Sequence, residues 1–357
     1  MEKEQKKVLV ALSGGVDSSV SAAILKEKGY KVEGAFIKTW SVPWLPCSWR
    51  DERRDAMRVA AQLHIPFHTV DLSKEYEEKV ANYFIEEYRK GNTPNPDVMC
   101  NKHVKFGSFF DFAMKKGFDY IATGHYARVK ENKINEEFSL LKGADKNKDQ
   151  TYFLWALKKE QLSKIIFPIG EYEKKEVRKM AKKFKLITAE KKDSQGVCFL
   201  GKINMKEFLS HYIKQESGDV LDEDGNVIGR HDGSVFLTIG QRHGFEVYKK
   251  TSNSEAMYIL KKDVRKNTIT VASEKKIKET AAKNNYIKLK KTNWLSEPKK
   301  KCEARLRYRQ KLFFVELKEI EDDKCLVVLK EHQSFIPKGQ SIVFYDGDTC
   351  LGGGVII

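Results

Sequence analysis

The segment Ser13-Gly14-Gly15-Val16-Asp17-Ser18-Ser19 joins five apolar residues, Val8 to Leu12, to a helical pattern beginning near Ser18. A strand, a Gly-rich turn and a helix in that order open a parallel sheet with crossover helices. The turn leaves backbone N–H groups and the positive helix end facing one point, where an anion can sit. Two glycines alone suit an ordinary connection; two hydroxyls and an acid beside them make this a phosphate loop. It lacks the lysine of the G-x-x-x-x-G-K-[ST] loop, so the usual handling of a γ-phosphate is disfavoured. Asp17 is instead a possible contact for Mg²⁺.

The alternation continues for about two hundred residues. Strands are expected at Val8 to Leu12, Lys31 to Ile37, Phe67 to Asp71 and Asp119 to Thr123. Helices are expected at Ser18 to Lys28, Asp51 to Leu63, Lys74 to Arg89, from the turn at Thr93-Pro94-Asn95-Pro96-Asp97 to about Lys116, and at Lys174 to Lys185. This is an α/β, doubly wound domain whose ligand site lies beyond the carboxyl ends of its strands. After one amphipathic helix, Met205 to Ile213, the pattern turns to short β runs separated by Asp-Gly and Gly-rich turns. Phe313 to Leu317, Cys325 to Leu329 and Ser341 to Tyr345 read as hairpin strands of a small barrel. The expected division is therefore 1–203, a small mixed central domain at 204–280, and a β-barrel at 281–357.

Charge narrows the partner. The chain has 66 Lys and Arg against 50 Asp and Glu, a net +16 over 357 residues. Eleven of those cations, against two acids, lie between Ala281 and Lys311, with Tyr286, Trp294 and Tyr308 among them. A charge run is ordinarily a solvated face; rings set among cations favour nucleic acid, because bases stack while phosphates pair. No window approaches the ~18 consecutive apolar residues of a membrane span, and the charged N-terminus leads into too short an apolar run for a signal peptide. The expected location is cytoplasmic. His125 and His243 have no cysteine or carboxylate at ligand spacing, so no zinc site is expected.

Two thiols stand in suggestive surroundings. Asp97 and Cys100 are three residues apart at a turn entering a helix, where the helix end and Lys102 would favour the thiolate. Cys198 lies in the polar loop Asp193-Ser194-Gln195-Gly196-Val197-Cys198-Phe199-Leu200-Gly201. Either cysteine alone would be read as a small buried hydrophobe.

The Ser13 loop resembles that of the PP-loop ATP pyrophosphatases, which cleave ATP between its α- and β-phosphates to adenylate a substrate. With both cysteine segments, and with Gly124-His125-Tyr126-Ala127-Arg128, Lys148-Asp149-Gln150, Gly240-Gln241-Arg242, Arg307-Tyr308, Lys338-Gly339-Gln340-Ser341 and Cys350-Leu351-Gly352-Gly353-Gly354, the resemblance narrows to the tRNA 2-thiouridylase family and runs nearly end to end. It implies ATP at Ala11, Leu12, Ser13, Gly14, Gly15, Val16, Asp17, Ser18, Ile37 and Gly124. It implies a persulfide on Cys198, with Cys100 as its partner nucleophile and Asp97 as acid/base. Asn95, Pro96 and Asp97 would meet the target base, and His125, Lys148, Asp149, Gln150, Arg307, Tyr308 and Gln340 would contact tRNA. It further implies the Lys, Glu and Gln isoacceptors and a sulfur-donor protein. Departures are modest: Val197 for Ile, His64-Ile65 for Gly-Ile, and His243 after Gly240-Gln241-Arg242. Cys47, in the Trp-rich loop Trp40 to Arg50, is a third thiol should an iron–sulfur cluster handle the sulfur. The alternatives are a PP-loop ligase adenylating a small metabolite, for which the basic C-terminal third would be unnecessary, and a non-catalytic RNA-binding module, against which intact Asp17, Asp97, Cys100 and Cys198 argue.

Overall fold

Val8, Leu9 and Val10 have no solvent exposure, which a strand reaches only at the centre of a sheet covered on both faces. In the computed structural model, which describes residues 5–42, 44, 49–193, 205–248, 255–281, 285–321 and 323–357, that strand is β1 (Lys7–Ala11). It is followed by β2 (Lys31–Lys38), β3 (Phe67–Asp71), β4 (Tyr120–Ala122), a hairpin of β5 (Ala127–Asn132) and β6 (Glu137–Lys142), and the short β7 (Ile165–Ile166). The first sheet runs β3-β2-β1-β4-β7, with every pairing parallel. Helices Val16–Glu27 and Trp49–Gln62 follow β1 and β2. The apolar face of the second, with Ala56, Val59 and Ala60 buried, is the one its sequence periodicity marks.

The two helical runs at 73–89 and 96–115 contain wide π turns, Glu77–Ala81 and Cys100–Ser108. Such turns are rare and sit most often at functional sites; hydrophobic spacing does not distinguish them from α-helix. The helix expected to reach Ile213 ends at Ser210.

The second sheet comprises β8 (Gly218–Leu221), β9 (Val227–His231), β10 (Phe245–Val247), β11 (Met257–Asp263) and β12 (Thr268–Ser273). Its order is β10-β9-β8-β12-β11, and β8 pairs with β12 in parallel while the other pairings are antiparallel. The barrel strands are β13 (Tyr286–Trp294), β14 (Lys301–Arg305), β15 (Phe313–Lys318), β16 (Lys324–Leu329), β17 (Ser341–Asp346) and β18 (Thr349–Ile356). They follow the order β13-β16-β15-β14-β17-β18, and pairing of β13 with β18 closes the ring. Closure removes the free edges that an open sheet exposes.

The β5–β6 hairpin lies early in the chain yet continues the barrel sheet. Leu141 pairs with Thr349, the Lys142 N–H donates to the Asp348 carbonyl at 2.8 Å, and Arg128 meets the Asp348 carboxylate at 2.9 Å. One apolar core joins the two regions: Leu9, Ile121, Cys100, Tyr152 and Trp155 pack in the same cluster as Leu295, Val343, Tyr345, Cys350 and Val355. No helix among the described residues is long and apolar enough to cross a membrane.

Candidate ATP loop and RNA-facing cavity

Gly14 has φ +72°, and a Cβ there would come within 2.4 Å of the Glu52 carbonyl oxygen. Glycine is therefore required both by the backbone conformation and by the helix behind it. Ser18 Oγ accepts from the Ser13 N–H at 3.2 Å and donates to the Gly15 carbonyl at 3.1 Å, while Ser19 Oγ donates to that same carbonyl at 2.8 Å. Gly15 caps helix Val16–Glu27 without a side-chain hydrogen bond, so the first-turn N–H groups face the loop. Gly124, just past β4, closes the other side: a Cβ would lie 2.7 Å from the Ser18 nitrogen. Leu12 is buried beneath the loop, its N–H bonded to Ala35. Ala11 ends β1, and Ile37 stands on the neighbouring β2. The Ser13–Ser18 turn, the start of the helix and Gly124 stand together, an arrangement in which an anion could be held.

Asp17 is not an open metal ligand. Its two oxygens accept from Lys174 Nζ at 2.7 and 2.8 Å, and Oδ1 also accepts from the Tyr126 hydroxyl at 2.9 Å. Among the described residues no group of three His, Cys, Asp or Glu side chains is arranged to hold a metal ion. Lys174 thus pairs with the carboxylate that the sequence offered to Mg²⁺.

Lys174 continues to Asp193 Oδ1 at 2.9 Å, and Asp193 also binds Lys148 at 2.8 Å and Arg178 at 2.7 Å. Burial raises the Asp193 pKa, but the hydrogen bonds and charges of Lys148 and Lys174 outweigh it and hold the carboxyl well below the usual range. Lys191 bonds the Gly14 carbonyl at 3.0 Å and Asp55 at 2.7 Å. The segment 191–193 is thus pinned to the loop at both ends. Cys198, the loop from residue 194 on and Cys47 lie outside the described residues.

The Asn95–Cys100 turn opens its helix as expected. Asn95 caps it, Oδ1 accepting from the Val98 N–H at 3.3 Å, with Pro96 in the first turn. Asp97 follows on the same turn. Cys100 begins the π turn and is 1% exposed, packed in the shared core. Burial, and then the charges of Lys291 and Lys158, lower the pKa of the Lys102 ammonium two residues further on.

Beside this turn, loops from the three parts of the chain meet around a cavity of about 460 Å³. Asn95, Tyr152 and Phe153 line one side, Thr238 to Gln241 the second, and Arg307, Tyr308 and Gln340 the third. The Thr93 N–H donates to the Lys338 carbonyl at 2.7 Å, and its hydroxyl is 3.2 Å from that of Thr238. Phe153 and Tyr308 stand 4.8 Å apart, a platform on which a base can stack.

Two expected RNA contacts face inward instead. His125 is 8% exposed, hydrogen-bonded to Thr123 at 2.7 Å and packed against Phe106 and Phe167; burial, then the charge of Lys105, lowers its pKa well below the usual value. Asp149, 3% exposed, accepts from the Gly143 and Thr151 N–H groups and the Thr151 hydroxyl, and pairs with Arg305 at 3.3 Å. Both side chains are taken up by protein partners in this structure. Gln150 likewise accepts from the Tyr126 N–H at 3.0 Å. Lys174, Arg178 and Tyr126 were missing from the expected site. Tyr126 lay inside a recognised motif, whereas Lys174 is 157 residues from Asp17 in sequence and carried no local signal.

Family models for the tRNA methyl transferase HUP domain, the tRNA methyl transferase PRC-barrel domain and the aminomethyltransferase beta-barrel domain match residues 6–202, 206–273 and 284–356 in turn. Curated relatives named tRNA-specific 2-thiouridylase MnmA align over nearly the whole chain. The protein from Geobacillus thermodenitrificans is 45% identical over 99% of this chain and 95% of its own. That from Listeria monocytogenes is 46% identical over 98% and 94%, and that from Bacillus velezensis 44% identical over 100% and 96%. A solved U34-tRNA thiolase from Methanococcus maripaludis, carrying a [4Fe-4S] cluster, aligns at 18% identity and a TM-score of 0.37 over 58% of this chain and 65% of that one, a likeness too distant to bear on the reaction. With full-length identity at this level, the chain belongs to the tRNA-specific 2-thiouridylase family.

Proposed function

We propose that this protein is an ATP-dependent tRNA sulfurtransferase that converts the wobble uridine to 2-thiouridine. The observation that carries the reading is the cavity in which the turn bearing Asn95 meets Arg307, Tyr308 and Gln340 of the barrel, beside a separate anion loop. A ligase for a small metabolite needs no cavity lined by loops from all three parts of the chain, nor a barrel of this charge.

The uracil C2 oxygen is a poor leaving group. Attack of that oxygen on the α-phosphorus of ATP, with departure of pyrophosphate, makes it a good one, and sulfur then displaces AMP at C2. A base in an anticodon loop is cheaper to unstack than one in a duplex. The aromatic wall supplies stacking and Asp97 a carboxylate that can take or return a proton. Sulfur arrives as a persulfide on Cys198; Cys100 attacks its inner sulfur, releasing sulfide to C2 and leaving a Cys100–Cys198 disulfide for a thiol reductant. Because Cys100 is buried, the step requires its core environment to open, and disulfide formation requires the two Cα atoms within ~7 Å. The same reading assigns Mg²⁺ to the bound triphosphate and not to Asp17 at rest. It keeps a cluster involving Cys47 as the rival route for sulfur, and places the protein in the cytoplasm with the Lys, Glu and Gln isoacceptors and a donor protein. Divisions near 203 and 280 complete it.

The test is nucleoside mass spectrometry of unmodified tRNA incubated anaerobically with the protein, MgATP and excess sulfide, which bypasses the donor. 2-Thiouridine is the expected product, and Cys100→Ser abolishes it when a persulfide donor replaces free sulfide. Pyrophosphate release that does not depend on RNA would revive the ligase.

A further inference from the structure

The loop Ser13 to Ser19 contains no lysine, although a triphosphate that is to lose pyrophosphate needs positive charge where negative charge accumulates. The fold brings one from elsewhere. Helix Lys174–Lys183 lies along helix Val16–Glu27, with Val177 and Ala181 packed among Val16, Val20 and Ile24, so the N-terminal ends of the two helices meet at the loop. Lys174 is the first residue of its helix, and its side chain is 14% exposed. Its ammonium touches both Asp17 and Asp193.

A lysine is seldom buried this far unless paired, and two carboxylates beside a phosphate loop would repel an incoming triphosphate unless a cation stood between them. We infer that Lys174 is the cation the loop lacks, turning from Asp17 and Asp193 to the β- and γ-phosphates of ATP and holding the pyrophosphate that leaves. This rests on reading Ser13 to Ser19 as the ATP loop. In the step, the uridine O2 forms a bond to the α-phosphorus while the bond from that phosphorus to the oxygen bridging to the β-phosphate breaks. The bridging oxygen keeps the electron pair, and the new charge falls within reach of the ammonium. Asp193 does not lose all its partners when Lys174 turns away, because Lys148 and Arg178 remain on it. Asp17 keeps the Tyr126 hydroxyl. The exchange therefore leaves neither carboxylate bare.

The test compares full-length wild type, Lys174→Met and Lys174→Arg for binding of ATP, AMP and inorganic pyrophosphate by calorimetry, and for tRNA-dependent pyrophosphate release. Lys174→Met is expected to bind ATP and pyrophosphate at least tenfold more weakly, to bind AMP within twofold of wild type, and to release pyrophosphate about a hundredfold more slowly. Lys174→Arg is expected to fall between the two. Equal weakening of ATP and AMP would mean that Lys174 merely holds Asp17 in place, and unchanged ATP binding would exclude any phosphate contact; either overturns the inference. If Lys174→Met does not fold, Lys174→Arg decides alone: its ratio of ATP to AMP affinity should shift at least threefold, and an unshifted ratio overturns it. Wild type that binds neither nucleotide would instead sink the ATP-loop reading from which the inference starts.

Discussion

Replacing Gly14 by alanine puts a side chain into a left-handed backbone, at about 1–2 kcal/mol, and drives Cβ against the Glu52 carbonyl. The loop must shift, so ATP binding is expected to be lost while the melting temperature drops only by a few degrees; nucleotide titration with a parallel thermal melt reads both. Asp149 behaves oppositely. Asp149→Ala leaves Arg305, 6% exposed, without its carboxylate, and breaking a buried pair in this way costs about 3–5 kcal/mol. Denaturant unfolding should show that loss, whereas tRNA affinity of the folded fraction should stay within twofold. A large affinity loss in fully folded Asp149→Ala would restore it as an RNA contact.

At the scale of elements, β6 depends on a partner from the far end of the chain. Truncation before residue 284 strips the β6 edge and exposes Tyr152 and Trp155, which pack in the core shared with Val343 and Tyr345. Residues 1–280 alone are expected to aggregate on expression instead of folding as a separate ATP-binding unit; a monodisperse, cooperatively melting fragment would contradict this. Four of the five strands of the parallel sheet were readable, most plainly the buried run Val8 to Leu12, whereas the two-residue β7 (Ile165–Ile166) is too short to carry a pattern. The hairpin at 127–142 was not readable, because its sequence is rich in charge and its stability comes from Arg128, Leu141 and Lys142 meeting Asp348 and Thr349, a pairing that local patterning cannot report.

For the whole molecule, charge and protonation set the conditions of function. A net +16 and a cationic barrel predict tRNA affinity that falls at least tenfold between 50 and 200 mM salt, since neutralised phosphates release counterions; filter binding across that range measures it. Stability is expected to change in two acid windows. His125 is held well below its usual pKa of 6.5 by burial, and His103 is lowered to about 4 by burial and then by Lys102, Lys79 and Lys291. The unfolded chain therefore takes up protons below about pH 6.5 that the folded chain refuses, and stability declines from there toward pH 4. Asp71, lowered to about 2 chiefly by the hydrogen bond from Lys38, contributes stability present above pH 3.8 and lost as pH falls toward 2. Denaturant midpoints between pH 7 and 2 check the order, and His125→Asn should flatten the upper window.

The sequence by itself determined the order of the parts: a phosphate loop between strand and helix, an acid and a thiol on one turn, a second thiol in a glycine-flanked loop, and a basic barrel at the end. Each is a local statement, made by residues within a few positions of one another, where steric rules and hydrophobic period act directly. Only the tertiary structure decided what stands beside these parts. It set Lys174 against Asp17, turned His125 and Asp149 inward, and drew Asn95, Gln241, Arg307 and Gln340 around one cavity. Those neighbours are chosen by helix packing and sheet closure across well over a hundred residues, and no spacing along the chain encodes them.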